Sequence, residues 1–300
     1  MNNQVWVCGE VLIDLIPNGI DRLAVVGGGP ANTAKALSKL GIETQLIDGI
    51  STDDYGRMIL MQLMSDGVLL DHVNFSEKPT CLAKVSLNEK GGAKYEFLIK
   101  NTATFDFSSK WLPDPNLYKP QLLHIGTLAT VIQPASSILF EWANKVSKVA
   151  KIVFDPNIRP AVVGDRAEYV FQVEKWVSIS SAVKVSDDDL NWLYPGEQID
   201  QVVKKWLNAG PELIVVTYGD KGLAGFRTGE SVFVQAQKVA VADTVGAGDT
   251  VGAVLVEAIV EVGLKRLTEG DLTDMLNRAA KAASITVSRT GALPPSKGEI

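Results

Sequence analysis

Short runs of valine, leucine and isoleucine recur along the chain, separated by stretches whose apolar residues repeat at helical spacing. Apolar runs of a few residues bounded by turn formers read as strands, and longer runs with a 3.6-residue period read as helices. Strands are predicted at residues 5–16, 23–26, 44–50, 68–75, 122–126, 151–154, 182–185 and 213–216. Helices are predicted from the small residues at 27–34 to Leu40, and over residues 54–65, 135–146, 251–263 and 272–288. In residues 54–65, Ile59, Leu60, Leu63 and Met64 form the buried side. From residue 122 onward the rhythm is strand–helix–strand, which makes a mostly parallel sheet the expected core.

One region breaks that rhythm. Residues 81–87 and 94–99 alternate like a hairpin across Asn88-Glu89-Lys90-Gly91-Gly92, with no helix between them. Together with residues 10–26, the stretch 75–105 is expected to form a small separate β-sheet.

Composition narrows the function. The chain has 300 residues, 46% of them hydrophobic, enough for a substantial buried core. A formal charge of −6 without any basic run argues against a grip on nucleic acid. Cys8 and Cys81 make no disulfide framework, and with His72 and His124 they show no metal-ligand spacing. His124, inside an apolar run, reads as a core histidine. The first residues lack a basic segment and a long apolar stretch, so no signal peptide is expected. The most apolar helix carries Glu257 and Glu261, too polar for a membrane span. A cytoplasmic protein is expected.

The candidate chemistry centres on Asp243-Thr244-Val245-Gly246-Ala247-Gly248-Asp249-Thr250, followed by a long apolar helix. Small residues before a helix let backbone N–H groups converge on an anion, and the helix dipole adds positive potential there. Asp249 falls in the first helical turn. The dipole favours its ionised form by about 0.3–1 kcal/mol, so a slightly lowered pKa is expected. An anion cradle beside an ionised carboxylate suits phosphoryl transfer to a hydroxyl.

A second small-residue turn, Gly27-Gly28-Gly29-Pro30-Ala31-Asn32, enters a helix with Pro30 at its start. Gly27-x-Gly29 invites a dinucleotide-binding reading, but Asn32 stands where the third glycine would fall. Asn32 both donates and accepts, which suits sugar hydroxyls. Asp14 interrupts an apolar run, either at a turn or aimed at a ligand. Asp155-Pro156-Asn157-Ile158-Arg159 follows a strand at the end where α/β sheets bind ligands. Arg159 could clamp an oxyanion bidentately, or pair with Asp155 across the turn. Ser186 is a good N-cap, and Asp187, Asp188 and Asp189 suit a first helical turn.

The segment 243–249 resembles the second signature of the ribokinase (PfkB-type) sugar kinases, Asp-Thr-x-Gly-Ala-Gly-Asp. Residues 27–32 resemble the first signature of that family, Gly-Gly-x-x-x-Asn. The resemblance spans nearly the whole chain, with the two signatures in family order. It implies a three-layer α/β sandwich with a mostly parallel central sheet and a small β lid, in one ribokinase-like domain, residues 1–300. The lid would exclude water from phosphoryl transfer.

The resemblance also implies roles. Asp249 would be the base, with Gly246, Ala247 and Gly248 as the anion cradle and Arg159 on the transferring phosphate. The sugar would meet Asp14, Gly28, Gly29, Asn32, Asn157, Arg159 and Asp249, with Tyr95 and Phe97 packing on it from the lid. ATP would lie toward Lys184, Ser186, Thr217, Gly219, Gly222, Ala247, Gly248, Asn277 and Ala280. The turn Thr217-Tyr218-Gly219-Asp220-Lys221-Gly222 looks like the family's nucleotide turn, and equally like a hairpin. Where many members carry Asn-x-x-Glu for the Mg²⁺ network, this chain has Ser186-x-x-Asp189, which implies contact with Mg²⁺ through water. Asp243, Val245, Arg289 and Gly291 would surround a monovalent cation such as K⁺, mostly through backbone carbonyls. Val251 stands where the family commonly has Phe, a packing change.

The opening Gly9-Glu10-Val-Leu-Ile-Asp14 and the Asp-x-Asn-x-Arg pattern resemble fructokinases, which makes fructose the expected substrate. A keto-deoxy sugar acid is the alternative; it needs a cation over its carboxylate, and Lys100 is the lid's candidate. Family lids often pair, which makes a homodimer through the lid an expectation. An NAD(P)-dependent oxidoreductase and a non-catalytic sugar- or nucleotide-binding regulator are the alternatives of other classes.

Overall fold

The computed structural model describes residues 4–87 and 93–300. Strands β1 to β8 are Val5–Cys8, Leu12–Asn18, Asp21–Gly27, Thr44–Ile47, Gly49–Ser51, Asn74–Ser76, Leu82–Leu87 and Ala93–Leu98. Strands β9 to β14 are Leu122–Gly126, Lys151–Asp155, Ala182–Ser186, Leu213–Thr217, Gly222–Arg227 and Glu230–Gln235. Helices α1 to α5 are Gly29–Lys39, Asp54–Ser65, Pro115–Tyr118, Ala135–Val146 and Arg166–Ile179. Helices α6 to α9 are Asp187–Leu193, Ile199–Ala209, Ala247–Glu261 and Glu269–Val287.

The main sheet has the order β14-β13-β12-β11-β10-β9-β1-β4. It is parallel from β4 to β12, and β13 and β14 add an antiparallel edge. Strand periodicity separates two cores. Val5 and Val7 of β1 pack with helices α1, α2, α8 and α9 on one face. Trp6 and Cys8 point the other way, into a core with α4 to α7. Because both faces are covered, strands such as β1 and β9 are buried throughout and read as unbroken apolar runs. The result is a three-layer α/β sandwich.

A second sheet has the order β3-β2-β7-β8. Register pairs Asp14 with Val25 and with Ala83, and Phe97 with Ala83. The turn expected at residues 88–92 lies outside the described residues, as does the side chain of Tyr95.

Several expected elements divide. The strand expected over 5–16 is two strands in different sheets: the chain turns at Gly9, at φ +142°, where an added Cβ would lie 2.4 Å from Pro30 Cγ. The strand expected over 44–50 breaks at Asp48, whose carboxylate accepts from Val11 N at 2.9 Å and Gly49 N at 2.7 Å. Of the strand expected over 68–75, only Asn74–Ser76 forms, with Leu69 in an isolated bridge to Gln45. A turn closed by Val73 N to Leu70 O, 3.1 Å, takes up the residues between. The expectations also did not include α5, α7 or the β13–β14 hairpin. No helix among the described residues is long and apolar enough to cross a membrane.

Candidate active site

At the carboxyl ends of the parallel strands lies a cleft of about 450 Å³. Helix α8 delivers Asp249 to it. Gly246, at φ 81°, is the N-cap, and a Cβ there would lie 2.7 Å from Ala292 Cβ. The loop after α9 therefore packs directly on the small-residue loop. The first-turn amides of an α-helix have no intrahelical acceptor, and Gly246 and Gly248 face the cleft. The residues present thus fit a bound phosphate.

Helix α1 enters the same cleft from the other side. Gly28, at φ 106°, leaves room for the Glu10 carbonyl, which an added Cβ would approach to 2.4 Å. At Gly29 an added Cβ would lie 3.0 Å from Asn157 Nδ2, 3.0 Å from Thr127 Cγ2 and 3.3 Å from Asp249 Oδ1. Three segments therefore converge on Gly29. One turn on, Asn32 Nδ2 donates to Asp249 Oδ2 at 2.9 Å. The two signatures, 217 residues apart, meet in that hydrogen bond. Asn32 Oδ1 is buried without a hydrogen-bond partner among the described residues, so the cleft offers a ligand hydroxyl an acceptor.

Burial overrides the helix dipole at Asp249. Desolvation raises its pKa to about 6, against the lowering influence of the Lys184 charge and the Asn32 hydrogen bond. The expectation of a lowered value was wrong in direction, because it took the first turn as exposed. At neutral pH the carboxylate is nonetheless mostly ionised. Asp14, in the second sheet, is likewise raised to about 6 by burial, with the Arg159 charge opposing.

Arg159 lies in the cleft on the turn after β10. Its Nη1 donates to Asn157 Oδ1 at 2.6 Å and to the Asn157 and Ile158 carbonyls. The alternative pairing with Asp155 does not form. Asp155 instead binds Lys184, Oδ2 to Nζ, at 2.8 Å, with both side chains almost fully buried. Lys184 reaches the cradle: a Cβ on Gly248 would lie 2.9 Å from its Nζ.

Asp189 forms a capping box with Ser186 and accepts from Ile158 N at 3.0 Å. It therefore holds the Arg159 turn. No group of three or more His, Cys, Asp or Glu able to hold a metal ion occurs among the described residues. Asp243 accepts from Val245 N at 3.0 Å and Gly291 N at 2.9 Å, bringing these expected neighbours together. The Arg289 side chain turns away to Glu299 and to the carbonyls of Leu293 and Pro294. Gly222 opens β13 at φ 132° and pairs through its carbonyl with Tyr218 N at 2.8 Å, so the turn after β12 is also a hairpin. Thr217 stands beside Ser186 at the carboxyl edge, with Gly219 just beyond. Asn277 is exposed on α9 and Ala280 is buried there. These residues lie outside the lining of the 450 Å³ cleft. Lys100 lines a neighbouring hollow of about 880 Å³ instead. His124 is buried, and desolvation lowers its pKa to about 4, so it is a neutral core residue.

Four lining residues were given no role from the sequence: Glu10, Leu12, Leu128 and Thr244. Glu10 carried a signal, a charged residue beside a glycine between two apolar runs, and Thr244 lies within the second signature; Leu12 and Leu128 sit in ordinary apolar runs.

Residues 2–297 match the family described as pfkB family carbohydrate kinase. The chain belongs to that family. This kinase is 33% identical over 255 residues to a fructokinase of Rhizobium leguminosarum bv. trifolii, covering 83% of this chain and 78% of the relative. A fructokinase of Xylella fastidiosa with bound ATP superposes with a TM-score of 0.92 at 22% identity, covering 100% of this kinase and 97% of that chain. A double mutant of the Vibrio cholerae fructokinase, bound to fructose, ADP and potassium ion, gives a TM-score of 0.86 at 26% identity over 97% and 94% of the two chains. The kinase has the ribokinase-like fold, and its activity class is phosphotransfer to a carbohydrate.

Proposed function

We propose that the protein is an ATP-dependent fructose kinase that phosphorylates the primary hydroxyl at C6. The observation that carries this reading is the meeting of Asp249, Asn32 and the Gly246–Gly248 loop in one cleft. The name of the relative that is 33% identical supplies the sugar.

In this mechanism the ionised Asp249 accepts the hydroxyl proton as the sugar oxygen bonds to the γ-phosphorus and ADP leaves. Amides of residues 246–249 and the Arg159 guanidinium stabilise the moving charge. Asp14, Gly28, Gly29, Asn32 and Asn157 orient the sugar, and Phe97 covers it from the smaller sheet, which serves as the lid. Lys184, Ser186, Thr217, Gly219, Gly222, Asn277 and Ala280 face the nucleotide. Bound Mg²⁺ would neutralise charge on the ATP phosphates, and Asp189 is the carboxylate that would hold it through water. Asp243, Val245, Arg289 and Gly291 would hold K⁺ mostly through backbone carbonyls, adding positive charge beside the small-residue loop. A second copy pairs through the lid, where Ile16, Leu23 and Leu98 are 38%, 54% and 38% exposed; sedimentation velocity giving only monomer would reject that pairing. The setting is cytoplasmic.

The test is coupled ADP release over fructose, ribose, nucleosides, tagatose and keto-deoxygluconate, with and without K⁺. Fructose should give the highest kcat/KM, and Asp249→Ala should lose about 10²–10⁴ of it, the usual contribution of a positioned base. A preference for another acceptor would overturn the substrate assignment, and near-parental turnover by folded Asp249→Ala would overturn the base.

A further inference from the structure

In the main sheet β4 flanks β1 on one side and β9 flanks it on the other, so the strand order reverses between β1 and β9. Ligand crevices in such sheets open at the carboxyl ends beside a reversal. Glu10 and Thr127 stand just beyond those two carboxyl ends, and their side chains join across the gap. Glu10 Oε1 accepts from Thr127 Oγ1, and Glu10 Oε2 accepts from Ala129 N at 3.2 Å. Glu10 is 3% exposed, and no lysine or arginine makes an ion pair with it among the described residues. A buried carboxyl held only by neutral donors is costly to keep, so its place at the crevice calls for a reason.

The turn it holds supplies one. Thr127 lies at φ +59°, in the left-handed region that a β-branched residue avoids. Its methyl abuts Gly29, the residue on which Asn157 and Asp249 also converge. Leu128, next in the turn, lines the cleft. Glu10 thus fixes the wall against which a sugar rests while its hydroxyl meets Asp249.

We propose that Glu10 is a positioning residue for the sugar acceptor, acting by bracing the Thr127–Ala129 turn across the strand reversal rather than by exchanging a proton with substrate. The role rests on the sugar-kinase reading.

Glu10→Gln separates bracing from charge. A glutamine oxygen can accept from Ala129 N while its amide donates to the Thr127 oxygen, so both links survive. Glu10→Leu fills similar space and leaves both buried donors unpaired. The expected result is a Gln variant within about threefold of the parent, and a Leu variant losing about tenfold or more in kcat/KM for fructose, mainly through KM, since a displaced wall weakens sugar binding in the ground and transition states alike. The KM for ATP should stay within about twofold, because the brace lies on the sugar side. Thr127→Val should reproduce the Leu phenotype and carries the test if Glu10→Leu does not fold. A parental fructose KM in the Leu variant (or in Thr127→Val), or a Gln variant as impaired as Leu, would overturn the proposal. Hydrogen exchange at the Ala129 amide reads the brace without any substrate: protection should be parental in Gln and lost in Leu. If the parent turns over no sugar, the kinase reading fails, and that exchange measurement alone decides the brace.

Discussion

Asp249 shows competing effects resolved by burial. The dipole, Lys184 and Asn32 all favour the carboxylate, yet desolvation wins and sets the pKa at about 6 instead of the model-compound 3.8. Two outcomes follow. The kcat/KM for the sugar should fall on the acid side of about pH 6, as the base takes up a proton. Stability should move the opposite way. A raised folded-state pKa means that the native state holds the proton more tightly than the unfolded chain. The destabilisation is absent below 3.8, grows between 3.8 and about 6, and is complete above that. Asp249→Asn, which can still accept from Asn32, should therefore be inactive but more stable at pH 8, by about 1–3 kcal/mol for a shift of this size. Urea unfolding at pH 8 and pH 4 checks this: a variant less stable than the parent at pH 8 would contradict it. At this scale the sequence was informative wherever chemistry needed an uncommon residue pattern. Asp249, Asn32 and the glycines announce themselves by spacing. Glu10 and Thr127 do not, because only the strand reversal places them face to face.

Between elements, the chain crosses from the main body to the smaller sheet through a few ties, and one short segment holds several of them. Asp48 accepts from Val11 N on the way out and from Thr104 Oγ1, at 2.6 Å, after the return. Asp53 caps α2 through Gly56 N at 2.8 Å and also accepts from Thr80 N and Thr80 Oγ1, at 2.9 and 2.6 Å. Asp53→Ala removes a cap, worth about 0.5–2 kcal/mol, and two links to Thr80, which leads into the smaller sheet. If the smaller sheet serves as the proposed lid, the expected outcome is that loss of stability together with a raised fructose KM and more ATP hydrolysis without sugar, as a looser cover admits water. An unchanged ratio of hydrolysis to transfer would show that the tie does not govern closure. Elements with one strong signal, the helical period of α2 and α4 and the bounded apolar run of β9, were legible with their boundaries. Residues 68–75 were not, because apolar content alone does not separate a strand from a turn packed on the core. Helix α5 spreads Tyr169, Val170, Phe171, Val173, Trp176 and Val177 widely around its surface, which blurs the helical period.

Across the whole molecule, the two cores lie on opposite faces of the sheet and the chemistry lies at one edge, so something must hold that edge together. The Lys184–Asp155 pair joins the middle of β11 to the end of β10, and Lys184 also approaches the first turn of α8 at Gly248. A buried pair is often no better for stability than apolar residues of the same volume, but removing one partner strands a charge. Lys184→Met should therefore cost about 3–5 kcal/mol by leaving Asp155 uncompensated, and Asp155→Leu should cost a comparable amount. Lys184→Met combined with Asp155→Leu should recover most of that loss, so the two changes will not add. Activity should not recover with stability, because the double variant still lacks the cation beside the phosphate cradle. Urea unfolding and ATP KM, measured on all three variants, separate the two roles. Additive losses of stability would mean that the pair is not coupled as its 2.8 Å separation implies. A double variant with parental ATP KM would mean that Lys184 serves only to join the strands, leaving the anion site to the amides of α8.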